Sequence, residues 1–178
     1  MTKTKKLVLA ALFVALGAAM PYAFHMIPNA GNVLLPMHIP VLLCGLICGW
    51  PYGLACGVLA PLLSNLTTQM PPVGILPSML CELAVYGLIA GLLFHLIHTG
   101  KKVLDIYIAL IGAMLAGRLV YGILNAVIFN AGNYSLAIWA TSAFVTALPG
   151  IIIQLLLIPA VLFTLEKAKL IQRTSPAR

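Results

Sequence analysis

Charge is what this sequence has least of. Of its 178 residues 7% are charged, ten basic and three acidic, where an average soluble domain carries about 25%. So few charges cannot cover a globule of this size, which excludes most soluble folds and nucleic-acid readers. The chain also lacks a Gly-x-Ser-x-Gly elbow, a His-Glu-x-x-His zinc helix and a Walker A loop, so nothing in it reads as a hydrolase or an ATPase. It shows no internal repeat and no break into two domains. What it has instead is apolar length. Hydrophobic residues make up 62%, with a mean hydropathy of +1.11, and the reading is an all-α integral membrane protein. The net charge of +7 then marks cytoplasmic loops rather than an anionic partner.

A hydrocarbon core about 30 Å thick needs roughly 20 apolar residues per helix. Residues 1–178 read as one membrane domain with helices at about 7–24, 36–50, 51–66, 78–97, 106–129 and 143–165. The second and third are short and separate at Gly49-Trp-Pro-Tyr-Gly53, a turn signature. Six crossings put Lys3, Lys5, Lys6, Lys101, Lys102, Lys167, Lys169, Arg173 and Arg178 on one side. By the positive-inside rule that side, with both termini, is cytoplasmic. The loops expected outside, 25–35, 67–77 and 130–142, contain no Lys or Arg. Lysines before an apolar stretch also describe a signal peptide. Because the chain begins at Met1, the expectation is a retained first helix.

Ionisable groups within the bilayer are costly and usually functional. Two permanently charged side chains lie well inside helices, Glu82 in the fourth and Arg118 in the fifth. At the helical rise Arg118 stands about 20 Å above Asp105 and Glu82 about 24 Å above His98, both references lying at the inner boundary. Both occupy the outer half at nearly one level. Two readings stay open: an ion pair locking two helices, or a polar cavity facing outside. Arg118, Tyr121 and Asn125 share a helix face at i, i+3, i+7, and Glu82 and Tyr86 share another at i, i+4. A guanidinium forks onto a carboxylate and tyrosine offers a stacking surface with a hydroxyl tip. This set suits a small polar ligand with an anionic group. Gln154 adds an amide, for ligand or for a neighbouring helix.

The outer loops carry residues of shaped turns. His25-Met-Ile-Pro-Asn-Ala-Gly-Asn32 supplies Asn32 as a candidate ligand contact, and Met26 and Met70 are candidate apolar lids. Pro36-Met-His-Ile-Pro40 opens the second helix and places His38 near the outer surface, as an interfacial residue or a ligand contact. Cys44, Cys48, Cys56 and Cys81 all sit in apolar runs and read as packing residues. Cys44 and Cys48 share a face but have no companion at ligand spacing, so no metal site is expected. His95 and His98 lie at the cytoplasmic end of the fourth helix. In the first helix Ala11, Ala15 and Ala19 recur every four residues, which lets another helix approach closely.

With its size, six helices, internal termini and the opening Lys5-Lys-Leu-Val-Leu-Ala-Ala-Leu-Phe-Val-Ala-Leu16, the chain resembles a substrate-binding (S) component of the energy-coupling factor (ECF) transporters. The similarity spans essentially the whole chain. Its more specific part is Leu35-Pro-Met-His-Ile-Pro-Val-Leu-Leu-Cys-Gly-Leu-Ile-Cys-Gly49, beside the AxxxA of Ala11 and Ala15. The resemblance implies a cell-membrane subunit that captures a vitamin from outside, with no cofactor of its own. Its partners would be a transmembrane scaffold subunit of the ECF module and two ATP-binding cassette ATPase subunits, and the subunit would topple to release its cargo. It further implies scaffold docking through Ala11 and Ala15, and ligand binding in the outer half under the loops after helices 1, 3 and 5. Among cargoes the similarity favours pantothenate, whose carboxylate suits Arg118. Pyridoxine-type, thiamine-precursor, lipoate and queuine-like cargoes stay open.

Two other functions compete. A stand-alone secondary transporter would use Glu82 as a proton-coupling carboxylate, but such carriers usually show inverted repeats. An intramembrane enzyme would need a nucleophile with its base, or a metal cluster. Neither pattern is present, and the expectation is a protein that is not an enzyme.

Overall fold

The computed structural model describes residues 1–24, 30–130, 132 and 134–171. Met26, Arg173 and Arg178 lie outside the described residues, as does the rest of 25–29 in the first outer loop. Among the described residues every regular element is helical. Helix α1 runs Lys3–Ala23 and is capped by Thr2, whose hydroxyl accepts from the Lys5 amide at 3.3 Å, satisfying one of the orphan donors of a helix start. A short α2, Ala30–Leu34, precedes α3, His38–Cys48. Helices α4 and α5 run Trp50–Thr68 and Leu76–Leu96, and α6 runs Lys102–Leu124. A π turn at Asn125–Phe129 extends α6. Then come α7, Leu136–Ala140, a second π turn, Thr141–Thr146, and α8, Leu148–Lys167.

Five segments are long and apolar enough to cross a membrane: Lys3–Ala23, Gly31–Cys48, Leu76–Leu96, Lys102–Phe129 and Leu148–Lys167. Helix α4 has the length but dilutes its apolar residues with a Trp-Pro-Tyr-Gly start and a Ser-Asn-Leu-Thr-Thr end. The six stretches expected from hydropathy are each helical, with shifted ends. The expected outer loop 130–142 is the larger departure, because Ser135 caps a helix there by accepting from the Ile138 amide. Apolar residues Leu136, Ile138 and Trp139 explain why it does not stay extended.

Helix α3 is the centre of the bundle, buried at all eleven positions. Its sequence His-Ile-Pro-Val-Leu-Leu-Cys-Gly-Leu-Ile-Cys has no solvated face, and α1, α4, α5 and α8 enclose it. Gly49, at φ 99°, is the single residue between α3 and α4. That left-handed angle is open to glycine at little cost. The chain therefore folds straight back, and α4 lies against α3 and α5.

Glycine also sets how close these helices come. A Cβ on Gly87 would lie 2.1 Å from the Gly53 carbonyl oxygen, and one on Gly57 2.2 Å from that of Leu83. Gly53 and Gly57, and Gly87 and Gly91, are small residues four apart on facing helices, which permits backbone contact. Gly45 of α3 meets the Gly87 carbonyl in the same way. Helix α1 joins by Ala10, Phe13 and Gly17, while Ala11, Ala15 and Ala19 face outward.

At one end of the bundle Asp105 accepts from the Thr99 amide (2.9 Å) and hydroxyl (2.6 Å), fixing the α5–α6 turn. Lys102 pairs with Glu166 and lies 5.9 Å from the centre of the Phe163 ring. The start of α6 and the end of α8 thus lie at one end of the bundle.

Candidate functional site

Three helices bring the intramembrane polar groups together. Helix α5 presents Glu82 and, one turn on, Tyr86; α6 presents Arg118; α3 presents His38. Gly117 lets α6 approach, since a Cβ there would lie 3.1 Å from the Glu82 carbonyl oxygen and 3.2 Å from the Tyr86 ring. Arg118 Nη1 stands 3.1 Å from Glu82 Oε1, with the two side chains 9% and 4% exposed. The two groups that depth counting set at nearly one level are thus in contact.

His38 joins them. The expected interfacial position is wrong: His38 is 2% exposed, with Nε2 3.8 Å from the same Glu82 oxygen. Its ring meets Tyr86 edge to face, 5.0 Å between centroids at 75°. The cause is the enclosure of α3, whose first turn is covered like the rest.

The cluster is paired in charge but unfinished in hydrogen bonding. The Arg118–Glu82 contact lacks the in-line angle of a hydrogen bond. Glu82 Oε1, Arg118 Nε and Nη2, and both ring nitrogens of His38 have no hydrogen-bond partner. Buried polar groups are nearly always satisfied, so each exception calls for a reason. Here the unused donors are informative. Nε and Nη2 form one edge of the guanidinium fork, the arrangement that receives a carboxylate through two parallel bonds.

A second contact missed by sequence reasoning ties the outer segment to this residue. Trp139 Nε1 donates to the Arg118 backbone carbonyl at 2.9 Å. Gly122 makes room, because a Cβ there would lie 2.4 Å from that indole nitrogen. Phe144 packs on the indole edge to face at 5.5 Å. An open apolar cavity of about 260 Å³ adjoins the indole, lined by Leu119, Gly122, Ile123, Ala126, Leu136 and others. A buried indole seeks an acceptor, so a tryptophan in an outer loop was the available signal.

The remaining candidates divide. Tyr121 is half-buried beside the pair. Asn125 is buried and ends the α-helical register of α6, its backbone N–H still donating to the Tyr121 carbonyl, and the π turn begins there. Its side-chain amide donates to the Tyr121 carbonyl (2.8 Å) and accepts from Asn130 (2.7 Å). Gln154 Nε2 donates to the Leu35 carbonyl at 3.5 Å, a long contact fastening α8 to the bend before α3. Asn32 is exposed on α2, helical rather than in a loop. Ala11 and Ala15 lie on the exposed side of α1, flanked by exposed Leu12 and Leu16. Cys44, Cys48 and Cys56 are buried and Cys81 is exposed, all unpaired. Among the described residues no three His, Cys, Asp or Glu converge as a metal site would need.

Residues 5–162 match the family described as ECF transporter, substrate-specific component. No curated protein and no solved structure matches the chain.

Proposed function

Because the chain belongs to the family of ECF transporter substrate-specific components, we propose that it is the high-affinity capture subunit of an ECF importer for a carboxylate-bearing vitamin, with pantothenate favoured. Family membership makes it a multi-pass membrane transport subunit rather than an enzyme, one that works with an ECF module and a small-molecule substrate. In this reading it crosses the membrane six times, with both termini cytoplasmic. It hands its cargo to a scaffold subunit driven by two ATPase subunits.

The observation that carries the cargo class is the half-used fork of Arg118. Glu82 occupies Nη1, while Nε and Nη2 are buried without partners. A substrate carboxylate would complete them by charge-assisted bonds, with Tyr121 and Tyr86 beside it as apolar walls. Ala11 and Ala15 would meet the scaffold, since small residues on an exposed helix face permit close approach.

Native mass spectrometry of the purified protein tests the reading by the mass of a co-purified molecule, and calorimetry with pantothenate measures its affinity directly. Uptake that depends on co-expressed ATPase subunits is expected. Uptake by the chain alone would favour the Glu82-coupled carrier.

A further inference from the structure

The buried cluster already balances one positive charge with one negative. Arg118 and Glu82 are 3.1 Å apart, and a neutral His38 leaves the net charge at zero. A carboxylate arriving on Arg118 would bring the enclosed set to minus one, and an uncompensated buried charge is strongly unfavourable. One group nearby is built to restore the balance. His38 is 2% exposed, has two ring nitrogens without hydrogen-bond partners, and holds Nε2 3.8 Å from Glu82 Oε1.

We infer that substrate capture takes up one proton, which passes from bulk solvent to the His38 imidazole and pairs that ring with Glu82 while the substrate carboxylate occupies Arg118. The inference rests on the reading of Arg118 as a carboxylate anchor. Charges then close at zero again: Arg118 with the substrate, imidazolium with Glu82.

Among the described residues the groups placed to take that proton are His38 and the Glu82 carboxylate itself, and H38Q tells them apart. Helix α5 faces His38 with Glu82 and Tyr86, and α6 with Arg118. Helix α4 carries no charged residue, and its titratable groups are Tyr52 and Cys56. The acid and base of α8, Glu166 and Lys167, lie at its last turn, where Glu166 pairs with Lys102. The charged side chains of α1 are Lys3, Lys5 and Lys6 in its first turn, and its tyrosine, Tyr22, is 70% exposed.

The sign follows from linkage. A proton bound with the substrate makes affinity fall as pH rises, by up to about tenfold per pH unit. The test is calorimetry of the purified protein in lipid nanodiscs with pantothenate, lipoate and biotin, at about pH 6 to 8. Two buffers of different ionisation enthalpy count the protons directly. Uptake near one proton, lost in H38Q, supports the inference. E82Q keeps His38 and removes the second negative charge, so its binding should be independent of pH even if H38Q fails to fold. A carboxylate that binds without proton uptake, or with uptake retained in H38Q, overturns the inference and leaves the anchor standing. Binding by none of the three vitamins, or equal affinity in R118Q, overturns the anchor reading and the inference with it.

Discussion

Among the described residues two pairs of Lys or Arg with Glu bridge helices, and they are built differently. Lys102–Glu166 joins the start of α6 to the end of α8, with side chains 25% and 12% exposed and an aromatic ring beneath the ammonium. Glu82–Arg118 joins α5 to α6 deep in the bundle, at 4% and 9%. The first is a compact point charge near solvent whose demands are met locally. The second uses a planar fork of five donors and leaves an edge of it unbonded. A fastening does not need unfilled donors in a dry place. The difference separates a pair that only holds helices from one that, in the proposed reading, also awaits a third group.

The comparison breaks most sharply at Arg118. Removing it strands Glu82, and breaking a buried pair from one side typically costs about 3–5 kcal/mol. R118A should therefore melt markedly lower without ligand, and R118A/E82Q should recover much of that loss. Affinity for a carboxylate vitamin should fall about ten- to a hundredfold in both variants. Recovery of affinity together with stability in the double variant would reduce the inner pair to a fastening like the outer one. Thermal melts beside calorimetry read both quantities.

A smaller effect is expected at Trp139. W139F keeps the ring and loses one N–H bond to the Arg118 carbonyl, worth about 1 kcal/mol. Faster dissociation with an unchanged fold, read by competition kinetics and circular dichroism, is the expected outcome. Unchanged dissociation would detach the α7 segment from the site. At the outer pair, K102A should cost less than about 1 kcal/mol, and less still in high salt. A melting loss as large as that of R118A would erase the contrast between the pairs. The smallest effect on binding belongs to Ala11→Trp, which should leave vitamin affinity untouched while abolishing transport by the assembled importer. Loss of affinity in the isolated protein would place that side of α1 inside the fold.

Much of this was legible from residue order. Apolar runs near bilayer length marked the helices, and depth counting brought Glu82 level with Arg118. Two spaced glycine pairs, Gly53 with Gly57 and Gly87 with Gly91, were equally readable, although attention fell on the alanines of α1. His38 was left between an interfacial and a ligand-contact position, because a histidine at the end of an apolar run looks interfacial until the helix is known to be surrounded. The π turn that begins at Asn125 was not legible, because nothing in its residue types marks the i→i+5 bond from Asn130.

The sequence by itself determined helix type, approximate length and the scarcity of charge within the bilayer, because each follows from local hydropathy and the thickness a helix must span. It also determined which residue types stood in the outer half. Only the tertiary structure decided which of them met. The rotation of each helix about its axis, and the distance at which helices cross, depend on what packs from the other side. A missing Cβ at Gly117 or Gly87 moves whole backbones together, so α3 closes His38 against Glu82, and Trp139 reaches a carbonyl 21 residues away.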